Sequence, residues 1–196
     1  MPKKSLPFLS GQKVLLRPIE PEKDAANVTR WVNDPEVTYF MFYGQLPLSL
    51  AEAKKFLDTE GNSHHALTFI VSDKKTGREI GFAGLYEIDW ISQRAEFRVL
   101  LGEKDFWSKG CGTEISELLT WFGFDRLNLH RIDLGVTSNN KGAIRAYEKA
   151  GYEYEFTRTD FMYRNSIWYD ADFMVMFRDR YYKKFFKAHQ KKFGVK

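Results

Sequence analysis

Residues 106–124, FWSKGCGTEISELLTWFGF, join a glycine loop to the start of a helix. Gly110 and Gly112 bracket a tight turn, and the apolar residues after it recur at the i, i+3, i+4 and i+7 spacing of one helical face. That apolar set is Ile115, Leu118, Leu119 and Phe122. Glycine lets the backbone approach a ligand, and the first turn of a helix has free N–H groups and a positive dipole end. The stretch therefore predicts either a phosphate site, to which Lys109 adds a charge, or a plain strand-to-helix turn.

The composition is that of one globular domain with a full core. Of the 196 residues, 43% are hydrophobic and 29% are charged, and no apolar run approaches the about 18 residues of a membrane span. The first residues lack the apolar segment of a secretory signal. Cys111 is the single cysteine, which excludes an internal disulfide and favours a reducing compartment. We therefore expect a cytoplasmic protein with no membrane partner.

The positive charge is concentrated at the C-terminal end. The formal net charge is +4, but residues 178–196 contain eight Lys or Arg and one Asp, so the rest of the chain is slightly acidic. This distribution disfavours nucleic acid as a partner, because a binding face needs basic residues spread over the domain. We expect the basic C-terminal tail to form a terminal helix or a frayed end. A weak membrane-surface or nucleic-acid patch is the alternative.

Sequence periodicity predicts alternating groups of strands and helices. Runs with period 2 or short apolar runs predict strands at residues 14–19, 67–72, 80–88, 94–101, 131–136, 152–159 and 168–177. Helical spacing and capping signals predict helices at residues 20–33, 50–59 and 140–150, besides the helix after the glycine loop. The three consecutive strands from residue 67 predict an antiparallel meander. This order predicts an α/β sandwich with a mixed sheet.

Three separated stretches together resemble the GNAT superfamily of acetyl-CoA-dependent N-acetyltransferases. Residues 95–115, AEFRVLLGEKDFWSKGCGTEI, are similar to a strand followed by the Q/R-x-x-G-x-G/A acetyl-CoA loop. Residues 139–152, NNKGAIRAYEKAGY, are similar to the helix that usually reads N-x-x-A-I-x-x-Y-x-x-x-G-F/Y. Residues 14–37, VLLRPIEPEKDAANVTRWVNDPEV, resemble the start of the branch that contains ribosomal-protein N-terminal acetyltransferases and spermidine N-acetyltransferases.

The resemblance implies one N-acetyltransferase domain at residues 13–178, between a flexible lead at residues 1–12 and the basic tail at residues 179–196. Its fold is expected to be a GNAT-like mixed, mostly antiparallel sheet covered by helices on both faces. The implied reaction moves an acetyl group from acetyl-CoA to a primary amine, a protein N-terminus or a small amine, by direct attack in a ternary complex. Spermidine or another polyamine and an amino sugar are alternative acceptors, and a non-catalytic acetyl-CoA-binding module is an alternative of another class. A homo-oligomer remains open, and no metal is expected.

The resemblance also assigns the acetyl-CoA contacts. Backbone N–H groups of Phe97, Val99 and Leu101 are expected to bind the pantetheine amides and to polarise the acetyl carbonyl. The diphosphate is expected on the loop residues Trp107, Ser108, Lys109, Gly110, Cys111, Gly112 and Thr113, and the pantetheine arm beside Asn140 and Ala143. Trp107 stands where the family has Gln or Arg, and Ser108 replaces a commoner glycine. Contacts made by backbone N–H groups tolerate such changes.

Glu96 and Tyr147 are the candidate catalytic residues. Glu96 lies on the strand before the glycine loop, on the face opposite Phe97, so it is the candidate base. The alternative is a structural carboxylate paired with Arg98 or Arg94, and Glu87 on the neighbouring strand is the reserve base. Tyr147 matches the family tyrosine that faces the sulfur and is the candidate acid, or else a core aromatic.

The acceptor is expected to contact residues 39–45, the helix at residues 50–59 and a late loop at residues 161–167. Tyr39, Phe40 and Phe42 either line an amine pocket by cation–π contact or belong to the core, and Glu87 is a further candidate substrate contact. Acidic residues that attract a polyamine are present nearby without forming a dense cluster. Polyamine and protein N-terminus therefore both remain open as acceptors.

Overall fold

The computed structural model describes residues 6–41, 44–61 and 63–194. Within these ranges the chain forms one sheet of eight strands and six α-helices. The strands are β1 (Leu9–Ser10), β2 (Val14–Pro18), β3 (Leu67–Asp73), β4 (Glu79–Asp89), β5 (Arg94–Leu101), β6 (Arg131–Thr137), β7 (Glu153–Arg164) and β8 (Ile167–Phe177). The helices are α1 (Pro21–Val32), α2 (Leu50–Gly61), α3 (Cys111–Asp125), α4 (Lys141–Ala150), α5 (Arg178–Lys184) and α6 (Phe186–Phe193).

The sheet has the order β1-β2-β3-β4-β5-β6-β8-β7. Every neighbouring pair is antiparallel except β5 and β6, which are parallel. The predicted mixed, mostly antiparallel sheet is confirmed, and so is the meander formed by β3, β4 and β5. Among the described residues, no helix is long and apolar enough to cross a bilayer.

Helices cover both faces of the sheet, as predicted. Successive side chains of β5 pack alternately against the helices of one face and of the other. Ala95 and Phe97 belong to the apolar cluster that contains the buried residues of α3. Leu100 points the other way and packs with Trp31 of α1 and Leu57 of α2. Glu96 therefore lies on the α1 and α2 side of the sheet, opposite Phe97.

The turn that joins β5 to the glycine loop is fixed to α1. The buried Glu103 carboxylate accepts a hydrogen bond from the Trp31 indole at 2.8 Å and pairs with Arg30 and Arg78. Burial alone raises the pKa of Glu103, but Arg30, Trp31 and Arg78 outweigh it, so the pKa lies below its ordinary value. Gly102 lies against the Trp31 ring, where there is no room for a side chain. The end of β5 is thereby held in one position.

The first residues of the chain differ from the predicted flexible lead at residues 1–12. Leu9 and Ser10 form β1, which pairs antiparallel with Leu16 and Leu15 of β2. Leu9 is buried and the Phe8 ring stacks on Phe69 with 5.7 Å between ring centroids. Residues 1–5 lie outside the described ranges. Part of the lead is ordered because its apolar side chains cover the edge of the core.

Residues 179–196 were predicted to form a separate basic tail, and the structure differs from this. They form α5 and α6, and the side chains of Tyr181, His189 and Phe193 are buried in the main core. The Phe193 ring lies 6.2 Å from that of Trp121 on α3, and Lys192 pairs with Glu117 at 2.5 Å. The expected terminal helix is thus two short helices inside the domain, because aromatic residues alternate with the lysines and supply an apolar face.

The predicted late loop at residues 161–167 is wrong. β7 continues to Arg164 and β8 begins at Ile167, so these residues form a long hairpin around a two-residue turn. The turn residues Asn165 and Ser166 have φ angles of 51° and 65°. Positive φ at both central residues is the geometry of a type I′ hairpin turn, for which Asn is suited and Ser gives little sequence signal.

We expect Gly102→Ala to lower the free energy of unfolding by about 1–3 kcal/mol, because a methyl group there overlaps the buried Trp31 ring. Gly61→Ala is the control, because an added Cβ there meets nothing within 4 Å. The control should change stability by less than about 1 kcal/mol. Urea unfolding of both variants measures this, and equal stability of the two would contradict the assigned packing.

Candidate active site

The parallel pair β5 and β6 is joined only at its start. Arg94, Ala95 and Glu96 pair with Arg131, Ile132 and Asp133, and the pairing then stops. β5 continues to Leu101 along β4, and β6 continues to Thr137 along β8. Beyond Glu96 and Asp133 the two strands face each other without pairing, and no other strand of the described chain lies between them. The open edge of β5 therefore has backbone N–H groups without a strand partner, in the stretch where Phe97, Val99 and Leu101 were predicted to bind.

The glycine loop adopts the shape that an anion site needs. Gly110 has a φ of 80° and precedes Cys111, the first residue of α3. The N–H groups of the first turn, including those of Gly112 and Thr113, have no partner inside the helix by its geometry. Ser108, which stands where the family commonly has glycine, adopts the left-handed backbone conformation with a φ of 60°. The predicted loop is therefore placed at a helix N-terminus, where the dipole favours anions.

A basic cleft of about 470 Å³ lies beside this loop. Its lining residues are Gln12, Lys13, Asp73, Lys74, Lys75, Phe106, Lys109 and Cys111. The Lys13 ammonium donates a hydrogen bond to the Lys109 carbonyl at 2.7 Å, while the buried Glu114 carboxylate accepts from the backbone N–H groups of Gln12 and Lys13. Sequence reasoning found Lys109 and missed Lys13, which is 96 residues away along the chain. Several lysines thus surround the position expected for diphosphate.

Trp107 has a structural role that explains its departure from the family pattern. Its indole N–H donates to the Leu101 carbonyl at 2.9 Å, which ties the loop to the last residue of β5. The Trp107 ring is 36% exposed. The Leu101 carbonyl is consequently engaged, and the side chain of Trp107 orders the loop without needing to contact a ligand.

Cys111 is the first residue of α3, and its side chain is turned into the core. Its side chain is buried, and burial raises the pKa of the thiol, with nearby lysine charges opposing the shift. A buried thiol of raised pKa is a poor nucleophile. This agrees with a reaction that has no covalent enzyme intermediate.

Asn140 caps the helix that carries Tyr147. The Asn140 side-chain oxygen accepts a hydrogen bond from the Ala143 N–H at 3.1 Å, and α4 then runs from Lys141 to Ala150. Ala143 is half-buried against the main core. The cap uses one end of the Asn140 amide, and the other end carries two donors that suit a carbonyl of a bound arm.

Tyr147 combines a packed ring with an unengaged hydroxyl. The ring meets Phe97 of β5 edge-on, with 6.0 Å between centroids. Burial raises the pKa of the Tyr147 hydroxyl to about 12, so the phenol is protonated at neutral pH. Its hydroxyl makes no hydrogen bond to any described residue. The structure therefore brings a neutral proton donor to the point where β5 and β6 separate.

Glu96 is held by Arg98, as the structural alternative predicted. The Arg98 guanidinium donates to both Glu96 oxygens, at 2.9 Å and 2.8 Å, and to Glu87 at 2.5 Å. Arg94 instead lies 3.7 Å from Asp89. Glu87 sits in a β-bulge with a φ of 51°, so its side chain is redirected toward Arg98 at the rim of the site.

Asp133 is a carboxylate that sequence reasoning missed. It lies directly opposite Glu96 in the parallel register and accepts a hydrogen bond from Arg131 at 2.7 Å. Burial raises the pKa of Asp133, the charges of Glu96 and Glu155 add to the rise, and Arg131 opposes it. Alternation with Ile132 and the other buried residues of β6 places Asp133 on the polar face, but the register that brings it to Glu96 is visible only in the structure.

The predicted acceptor residues are partly brought to the same region. The Tyr39 hydroxyl lies 3.1 Å from that of Tyr169 on β8, and the Phe40 carbonyl accepts from Thr137, the last residue of β6, at 3.2 Å. Tyr39 is 38% exposed. Phe42 lies outside the described residues. The segment before residue 42 therefore borders the open end of β6.

Arg158 on β7 is surrounded by three phenyl rings. Its guanidinium lies 4.6 Å from the centroid of Phe173, 5.2 Å from Phe161 and 5.7 Å from Phe156. The Phe173 ring in turn lies beside Gly135 of β6, 3.4 Å from where a Cβ would be. Arg158 makes no ion pair with any residue that the structure describes. No local pattern predicts this cation, which lies on β7, two strands from β6.

Comparisons with known proteins agree with this arrangement. Residues 13–153 match the family model described as an acetyltransferase (GNAT) domain. The spermidine N(1)-acetyltransferase of Escherichia coli (strain K12) is 28% identical over 172 residues, which cover 88% of this chain and 90% of the relative. An uncharacterized N-acetyltransferase, p20, of Bacillus licheniformis is 30% identical over 159 residues, which cover 78% of this chain and 86% of the relative.

The fold is also that of a solved structure. The crystal structure of spermidine N-acetyltransferase from Vibrio cholerae in complex with CoA and spermine has a TM-score of 0.78 to this chain at 24% identity. The match covers 87% of this chain and 98% of that chain. The expected GNAT-like architecture is thereby confirmed.

We expect Gly112→Asp to weaken acetyl-CoA binding by at least about tenfold, because it places a negative charge at the helix N-terminus. The nearest atom to an added Cβ at Gly112 is 3.8 Å away, so the variant should fold. Gly112→Asn, of the same shape without the charge, is the matched control. Calorimetric titration measures both affinities, and equal binding by the two variants would contradict a phosphate site in this loop.

Proposed function

The chain belongs to the GNAT acetyltransferase family, and from this premise we propose that its active site lies where β5 and β6 separate, between the glycine loop and Tyr147. The enzyme transfers an acetyl group from acetyl-CoA to an amine. The observation that carries the placement is the end of the β5–β6 pairing at Glu96 and Asp133, which leaves backbone N–H groups of β5 without a strand partner. Fixed N–H dipoles stabilise negative charge that develops on the acetyl oxygen.

The chemistry requires one proton removed and one supplied. An aliphatic ammonium with a pKa near 10.4 is neutral in about one molecule in 2,500 at pH 7, a cost of roughly 4.6 kcal/mol, so deprotonation is the harder task. The neutral amine then attacks the carbonyl carbon, a C–N bond forms and the C–S bond breaks. In our proposal the departing thiolate takes its proton from Tyr147, whose hydroxyl is protonated and unengaged by described residues.

We propose a polyamine of the spermidine type as the acceptor. The support is the likeness over most of both chains to the Escherichia coli enzyme, which is named for spermidine. The carboxylates of Glu87, Glu96 and Asp133 line one side of the separation point, and an acceptor with several ammonium groups suits them. Tyr39 and Phe40, beside the end of β6, supply aromatic surface for the alkyl arms.

An acceptor with an acidic group beside its amine is the second candidate, and Arg158 favours it. The cation is fixed on three rings near Gly135 without a carboxylate partner in the described ranges. A guanidinium held in this way suits a carboxylate. A peptide N-terminus followed by an acidic side chain has that chemistry, and a protein N-terminus is one of the acceptors that the sequence resemblance implied first.

Tyr147→Phe should lower kcat about 10²- to 10⁴-fold and leave acetyl-CoA affinity nearly unchanged, because it removes a proton donor without altering the ring. Since the pKa of Tyr147 is raised to about 12, the donor stays protonated and the wild type should lose no activity from its titration up to pH 10. Tyr152→Phe is the control: that hydroxyl bonds to Thr120 at 2.8 Å inside the core. The control should affect stability more than kcat. Equal losses of kcat in both variants would contradict the assignment.

An acceptor panel separates the two candidates. With spermidine, a glucosamine and a peptide with an acidic N-terminus as acceptors, we expect the highest kcat/KM for spermidine. Arg158→Gln should raise kcat/KM for spermidine several-fold by removing a like charge. If the peptide is preferred and Arg158→Gln abolishes that preference, the second candidate is correct. Tight acetyl-CoA binding with no turnover of any amine would instead identify a non-catalytic binding module.

A further inference from the structure

Two carboxylates meet at the separation point, and they are engaged to different degrees. Glu96 and Asp133 are the last paired residues of β5 and β6, and directly paired residues in a sheet project to the same face. Both Glu96 oxygens accept hydrogen bonds from one guanidinium, that of Arg98. Only the Oδ2 atom of Asp133 accepts one, from the Arg131 Nε at 2.7 Å.

The second oxygen of Asp133 is open to a ligand. Oδ1 makes no hydrogen bond to any residue in the described ranges, and the side chain is 22% exposed. Arg131, the neighbour of Oδ2, is itself shared, because its two terminal nitrogens donate to the Glu155 oxygens at 2.8 Å and 2.5 Å. Asp133 is thus oriented by one hydrogen bond and keeps one carboxylate oxygen that no described residue engages.

We propose that Asp133, rather than Glu96, accepts the proton that the acceptor ammonium loses, and that Glu96 positions the site through Arg98. The inference rests on the proposed function. The ammonium transfers one proton to Asp133, directly or through a water molecule, and becomes a neutral amine. After the C–N bond forms, the C–S bond breaks and Tyr147 protonates the departing thiolate. The second proton of the nitrogen then passes through water to the Tyr147 phenolate, and Asp133 releases the first proton to solvent.

The charges around Asp133 suit this task. Glu96 faces it from β5, with Arg98 behind, Arg131 lies on its own strand and Glu155 faces it from β7, while Val175 of β8 is uncharged. The Tyr152 phenol also lies near enough for the Asp133 charge to contribute to its raised pKa. Burial and the two neighbouring carboxylates raise the pKa of Asp133, so it binds a proton more readily than an exposed aspartate.

The test compares Asp133→Asn, Asp133→Glu and Glu96→Gln by the pH dependence of kcat at saturating acetyl-CoA and spermidine. A proton-accepting carboxylate works when ionised, so wild-type activity should fall as pH decreases through its raised pKa. Asp133→Asn should lower kcat about 10²- to 10⁴-fold and remove that acidic limb. Asp133→Glu should restore part of the activity. Glu96→Gln should lower kcat less than tenfold and move the limb to lower pH, because one like charge is gone.

Glu153→Gln is the matched control. It removes a carboxylate of β7 that pairs with Arg180 of α5. Glu153 lies in the same row of the sheet as Asp133, two strands away. Its kcat and acidic limb should equal those of the wild type. Circular dichroism and thermal unfolding of all variants separate loss of a proton acceptor from loss of the fold.

Four results would overturn the inference. Loss of the acidic limb in Glu96→Gln with a small effect of Asp133→Asn would make Glu96 the base. A wild-type limb retained in Asp133→Asn, with only KM or stability changed, would make Asp133 structural. A wild type that acetylates no amine would overturn the proposed function as well, whereas turnover of spermidine with an unaffected Asp133→Asn would overturn this inference alone.

Discussion

The hydrogen bonds between β5 and β6 end at Glu96 and Asp133, and the rest of the site depends on that end point. On its other side each strand stays paired, β5 with β4 and β6 with β8. The sheet therefore remains intact although β5 and β6 separate, and we call the gap between them the seam. A buried backbone group without a partner costs about 1–3 kcal/mol, so the seam must be hydrated or filled by a ligand. The fold therefore leaves backbone N–H donors available along β5 without using side chains for this purpose.

A site built from backbone groups explains which side chains are free to differ. Trp107 replaces the family's Gln or Arg and its indole donates to the Leu101 carbonyl. In our proposal Cys111 offers only its backbone N–H group, because its thiol is buried. What the chain does specify is local geometry, through the positive φ of Gly110 and the packing of Gly102 on Trp31. In our proposal few side chains take part in the chemistry, and they lie where β5 and β6 separate: Tyr147 packs edge-on against Phe97, and Asp133 lies beside Glu96, which has a positioning role.

Local periodicity was enough to predict most of the strands and helices. Alternation in β5 placed Glu96 opposite Phe97, whereas Asn140 and Tyr147 on α4 were singled out by the resemblance to the family motif and not by periodicity. Long-range register was not predictable, because no local signal states that Asp133 lies beside Glu96 or that Lys13 reaches Lys109. The late hairpin was missed because its Asn-Ser turn lacks glycine. The packing of the C-terminal helices into the domain was missed because their lysines obscure an aromatic face.

The central claim is that acetyl-CoA occupies the open edge of β5 and the first turn of α3. Amide hydrogen exchange, measured with and without acetyl-CoA, tests it most directly, since it reports on the backbone groups themselves. We expect slower exchange on binding at residues 97–101 and 110–113, with little change along β1, β2 and β3. Unchanged exchange at residues 97–101 in a protein saturated with acetyl-CoA would contradict it.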